Sequence, residues 1–136
     1  MSVKAVEHEQ LLVQAFILPQ CRDRYLEMLA RPKRRQTFKE SLAHFKHLDM
    51  RFAVRIPTYQ QHANEIAKIL KSKGAPATCY AFSEWSEIDG KDILLEEALK
   101  TVVGAGMGTF LSCIVGRLAY FEDEDQRWIL ERNARS

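Results

Sequence analysis

The run Val103-Gly104-Ala105-Gly106-Met107-Gly108-Thr109 places three glycines at alternate positions, the density of a loop that turns its backbone N–H groups onto a phosphate. A dinucleotide loop needs a strand before the glycines, a helix after them and G-x-G-x-x-G spacing, because the helix N-terminus supplies the donors and the dipole. Here the third glycine comes one residue early, Thr109 stands where Gly or Ala belongs, and no Gly-Lys-Ser/Thr follows. The apolar pattern also puts a helix before the loop and a strand after it. The opposite assignment would make Thr101 to Val103 a strand, Thr109 to Tyr120 a helix and Glu122, 18 residues after Gly104, a ribose-binding acid. It leaves 16 residues beyond Tyr120 and buries Gly116 in a helix interior, which costs about 1 kcal/mol relative to alanine. The glycines are therefore expected to form a helix C-cap and a turn rather than a nucleotide site.

Other groups have the residue types for chemistry. The segment Ser83-Glu84-Trp85-Ser86-Glu87-Ile88-Asp89-Gly90 follows a strand, the place where α/β folds put ligands. Glu84 and Asp89 would be its acid and base, and Trp85 the apolar wall of a ligand pocket. Arg31, Lys33, Arg34, Arg35, Lys39 and Lys46 form a basic surface; residues 21 to 55 hold 10 Lys/Arg against 4 Asp/Glu. On a helix these cations would follow a phosphate backbone, although flanking a core face is the ordinary use of such residues. No base-stacking aromatic pattern accompanies them. Glu40, His44 and His47 fall at i, i+4, i+7, a spacing that faces a metal from one helix, but no HExxH or comparable signature completes it. Neither a metal nor a cofactor is expected. Cys79 and Cys113 lie inside expected strands, where a thiol packs as a small hydrophobe. Ser112-Cys113 is not in a G-x-S-x-G elbow.

These residues must be positioned by the elements around them. Residues 3 to 17 run without a breaker before Pro19 and read as a helix, with a buried strand over the apolar part as the alternative. A short helix follows from about Cys21 to Ala30. Pro32 opens another, in which Phe38, Leu42 and Phe45 make one apolar stripe. Phe52, Val54 and Ile56 then alternate with Ala53 and Arg55, the period of a strand with a buried face. After Pro57, Thr58-Tyr59-Gln60-Gln61 matches a capping box for a helix that turns Ala63, Ile66, Ala67 and Leu70 inward. Ala77 to Phe82 supplies the next strand, so this β-α-β order predicts a right-handed crossover with parallel pairing. Asp89-Gly90 marks a turn, Leu94 to Val103 a helix. Strands at about Thr109 to Ile114, Arg117 to Glu122 and Arg127 to Arg132 make an antiparallel three-stranded meander joined at Val115-Gly116 and at Asp123 to Gln126. The fold expected is one α/β domain over 1–136: N-terminal helices, the crossover, then the meander, with about five strands in a mixed sheet.

Composition sets the class. With 136 residues, 46% hydrophobic and 28% charged, the chain is long enough for one core and too balanced to be disordered. The runs Leu11 to Val13 and Ala15 to Leu18 are too short for a membrane span, the N-terminus carries no signal pattern, and three cysteines without a CxxC pair suit reduced thiols, so no membrane partner and a cytoplasmic location are expected. Net charge is +2, unevenly placed: residues 1 to 68 hold 12 Lys/Arg against 7 Asp/Glu, residues 69 to 136 hold 8 against 11. The reading that fits is a small binding or regulatory module, without identified catalytic machinery, that binds a protein partner or self-associates through an edge strand containing Trp128, Ile129 and Leu130. The alternatives are a nucleic-acid binder using 31–46 and a small enzyme using the 83–90 loop.

Overall fold

The computed structural model describes residues 3–132. Helices α1 (Val3–Phe16), α2 (Arg22–Leu29) and α3 (Pro32–Glu40) come first, then strand β1 (Ala53–Arg55), helix α4 (Ala63–Ser72), strands β2 (Thr78–Ser83) and β3 (Asp92–Leu94), helix α5 (Leu95–Val102), and strands β4 (Thr109–Ile114), β5 (Leu118–Glu122) and β6 (Arg127–Glu131). The fold is α/β, with helices packed on one six-stranded sheet of order β1-β6-β5-β4-β2-β3.

Period-two alternation in the strands sends side chains to two different cores. Tyr80, Phe82, Phe110, Phe121 and Leu130 face α1, α2 and α3, where Phe16, Tyr25, Phe38 and Phe45 complete an aromatic layer. Ala81, Leu111, Leu118, Tyr120 and Ile129 face α4 and α5, whose Ile66, Leu70, Leu95, Leu99 and Val102 complete a mainly aliphatic one. Because both faces are covered, β4 and β5 are buried almost throughout, which is why they read as continuous apolar runs.

Several expectations change. Among the described residues there are six strands, close to the five or so expected, the additional one being Asp92–Leu94, which pairs with β2. Every pairing among the described strands is antiparallel, so the sheet they form is not mixed. The β1-α4-β2 connection does join strands running the same way, but β6, β5 and β4 lie between them. The meander closes onto β2 and β1 from both sides and leaves no room for a parallel pair. Val54 is 66% exposed, since β1 is an edge that α4 does not cover. Thr58–Gln60 is a 3-10 turn and not a capping box; α4 begins after His62, with no side-chain cap. Phe38, Leu42 and Phe45 all reach the core, yet the helix stops at Glu40 and a 3-10 turn carries Leu42. The β4-β5-β6 meander and the helix before the glycines stand as read. No helix among the described residues is long and apolar enough to cross a membrane.

Candidate functional site

The glycine loop does hold an anion, and the anion belongs to the chain itself. Gly104 and Gly106 take positive φ, +87° and +71°, a backbone region that glycine enters without a Cβ penalty. That conformation turns the Gly104 N–H onto Glu122 Oε1 at 3.1 Å and the Gly106 N–H onto Oε2 at 2.8 Å. Tyr120 donates its hydroxyl to Oε1 at 2.7 Å and Arg127 Nε lies 3.3 Å from the same oxygen. Glu122 is wholly buried, so this donor set is what makes a buried carboxylate tolerable. Burial and the Glu122 charge together raise the Tyr120 phenol above its ordinary range. Gly108 extends the nest: its N–H donates to Glu84 Oε1 at 2.9 Å. A Cβ there would fall 2.3 Å from Ala43 N and from Leu42 C and Cβ, so the position admits only glycine.

The basic surface divides. Arg35 and Lys39, one turn apart on α3, share a face and point inward. Arg35 donates to both oxygens of Glu9 at 2.9 and 2.6 Å and to both oxygens of Asp89 at 2.8 and 3.1 Å. Lys39 Nζ lies 2.9 Å from Asp89 Oδ2, and the Ser83 N–H donates to Oδ1 at 3.0 Å. Tyr80 donates its hydroxyl to Glu9 Oε2. Burial alone would raise the Asp89 carboxyl, but the bonds from Arg35, Ser83 and Lys39 outweigh it and hold the group below the usual carboxylate range. Burial likewise opposes the Arg35 charge and is overcome by Glu9 and Asp89. Arg31, Lys33, Arg34 and Lys46 remain exposed.

The remaining expected sites separate in space. Glu84 accepts from the Gly108 N–H of the glycine nest, whereas Asp89 accepts from Arg35, Lys39 and the Ser83 N–H. Trp85 packs against the aliphatic core, its backbone N–H donating to Ser83 Oγ at 2.9 Å. Glu40, His44 and His47 do not share a helix face, because α3 ends at Glu40; His44 pairs with Glu124 at 2.9 Å and His47 with the Tyr25 hydroxyl at 2.6 Å. Trp128, Ile129 and Leu130 are not on an edge: β6 is paired with β5 on one side and β1 on the other, and Ile129 and Leu130 are buried.

Two features were missed in the sequence. One is a groove of about 640 Å³ at the end of the sheet, with His8, Ser112, Cys79 and Cys113 among its lining and Lys4 and Asp92 paired at 3.8 Å beside them. His8 Nδ1 lies 2.7 Å from Ser112 Oγ, and the imidazole stacks on Tyr80 at 5.1 Å. Burial lowers the His8 pKa, against the opposing pull of Asp92, which favours the neutral ring. Ser112 is mid-strand, paired with Tyr80 and with Ala119, so the backbone around it is committed to the sheet. The other is an apolar groove of about 260 Å³ beside β1, floored by Val54, Ile56, Ile69 and Ile129 and rimmed by Arg55, Lys73 and Glu131. Comparison with protein-family models, with curated proteins and with solved structures gives no match for this chain.

Proposed function

We propose that this chain is a non-catalytic interaction module that self-associates by strand addition at the β1 edge. The observation that carries this is Val54: a β-branched side chain, 66% exposed, on a sheet edge beside an apolar groove. Met50 and Tyr59, just before and after the strand, are also exposed. An unpaired edge presents N–H and C=O groups to a second strand, and apolar side chains beside it supply the burial that makes pairing favourable. A second copy suits the groove because its rim carries both signs, with Lys73 and Glu131 paired at 2.8 Å next to Arg55; a two-fold interface must match itself. Antiparallel pairing centred on Val54 would set Arg55 opposite Ala53 of the other copy, away from its own like charge.

Support for this over a nucleic-acid surface is that Arg35 and Lys39, two of the six cations, are engaged internally. Support over an enzyme at 83–90 is that Glu84 is held by Gly108 and Asp89 by Arg35, Lys39 and Ser83. The test is sedimentation velocity over a wide concentration series for the native chain and Val54→Lys, a lysine being a common natural guard of an edge. The native chain should form dimers, and Val54→Lys should weaken them by at least about tenfold with an unchanged melting midpoint. A native chain that stays monomeric throughout, or a dimer indifferent to Val54→Lys, removes the proposal.

A further inference from the structure

The antiparallel register of β2 and β4 pairs Tyr80 with Ser112. The ladder ends at that pair; continued by one residue on each strand, the same register would set Cys79 opposite Cys113, and both cysteines lie in the aliphatic core on one face of the sheet. Directly opposed residues in an antiparallel pair have Cα atoms about 4.5–5.5 Å apart, inside the span that a disulfide bridges. Both cysteines are buried, 2% and 5% exposed, and both line the groove at the end of the sheet, which is the side from which a small reagent would reach them. On the other side of β4 the β4–β5 register shifts between Ser112 and Ile114, so Cys113 sits at an irregularity that bends and twists the strand locally.

We propose that Cys79 and Cys113 are a modification site, a reversible dithiol–disulfide couple oxidised through this groove by a low-molecular-weight disulfide. One cysteine thiolate attacks the reagent, forming a mixed disulfide and releasing one reduced thiol. The second thiolate attacks the protein sulfur of that bond, closing the Cys79–Cys113 bridge and releasing the second thiol. Two protein thiols are oxidised and one reagent disulfide is reduced, with both cysteine protons ending on the released thiols or solvent.

The electrostatics set the rate. Burial, with a smaller push from Asp92, raises the Cys79 thiol to about 12. Burial also raises Cys113, with the Cys79 thiol as the next cause. The thiolate is the nucleophile, so the couple reacts slowly at neutral pH, and its rate rises roughly tenfold per pH unit between pH 7 and 9. Once made, the bridge encloses β3, α5 and the glycine loop, and it should raise the melting midpoint by roughly 5–10 °C.

The experiment uses the full chain carrying Cys21→Ser, incubated with oxidised glutathione at several pH values and followed by intact mass and peptide mapping. The expected result is loss of two hydrogen atoms, linked peptides containing Cys79 and Cys113, a higher melting midpoint and full reversal by dithiothreitol. Cys79→Ser and Cys113→Ser variants should each abolish the bridge. Both thiols remaining free after Cys21 of the native chain has reacted completely under the same conditions would overturn the proposal. So would a glutathione adduct that persists without closing.

Discussion

Glu122 and the pair Glu9 and Asp89 are carboxylates taken out of water, and the chain holds them by opposite means. Glu122 is cradled by backbone, the Gly104 and Gly106 N–H groups, with Tyr120 and Arg127 beside it. Glu9 and Asp89 are gripped by side chains, one guanidinium forked between them and Lys39 on the second. The first arrangement is local in its donors: a two-residue spacing of left-handed glycines makes the nest wherever a carboxylate arrives. The second is wholly tertiary, since Arg35 on α3 reaches Glu9 on α1 and Asp89 in the β2–β3 turn. The difference is one of failure. A backbone donor cannot leave when its acceptor changes, whereas the side-chain fork, if removed, abandons two buried anions at once.

Arg35→Ala is therefore the largest break. It leaves Glu9, 3% exposed, and Asp89, 9% exposed in its side chain, without their shared partner, and stripping one member from a buried ionic cluster costs about 3–5 kcal/mol. Urea unfolding should show a loss of that size at neutral pH. A cost below about 1 kcal/mol would mean that the carboxylates relax to water and that the cluster is a surface one.

Glu122→Gln sharpens the comparison on the other side. Both oxygens of Glu122 accept, one from Gly104 and Tyr120 and the other from Gly106. An amide keeps one acceptor and presents its NH2 to a fixed donor whichever way it turns, so about 2 kcal/mol should be lost. Hydrogen exchange should rise at the Gly104 or Gly106 amide, whichever loses its acceptor. Unchanged protection at both would show that the loop holds its shape without the anion.

How much of this was legible follows the same division. The helix-then-strand context around the glycines pointed to a C-cap and a turn, which the structure has, but not to a nest that holds an anion. What filled the nest was less visible, because Glu122 takes its place only once the β4–β5 hairpin brings it beside the loop. The Arg35 fork was legible in half. Arg35 and Lys39 at i, i+4 share a face, but nothing local says whether that face meets water or Asp89. The clearest unread signal lies in α1. Ala5, Leu12, Val13 and Phe16 trace an apolar stripe, and His8 and Glu9 occupy the stripe positions between them, buried at 4% and 3%. Polar residues on core positions must have partners, and these mark both the Arg35 cluster and the Ser112 contact. The strand order was beyond reach for another reason: period two assigns faces, but pairing depends on contacts distant in sequence, and β6 read as an edge until β1 was found against it.

Acid gives the smallest and most graded test, because it acts at two separate pH values, on His8 and on carboxylates that include Asp89 of the side-chain-held pair. His8 has its pKa lowered in the fold, by burial first, against Asp92 and Glu7 and with help from Lys4. The unfolded chain then binds more protons than the folded one as pH falls through the ordinary imidazole value near 6.5, so stability declines from there and levels off below the folded value. Asp89, and Asp49 with its hydrogen bond from Arg51, are lowered instead. Their contribution is complete above the ordinary carboxylate value near 4 and disappears as pH falls further through the folded values. Urea midpoints between pH 8 and pH 2 should thus fall in two steps, and each tenfold difference in proton affinity between the folded and unfolded chain is worth about 1.4 kcal/mol. His8→Asn should erase the upper step and leave the lower one in place. If the upper step survives in His8→Asn, another group titrates there, and burial of His8 is not its source.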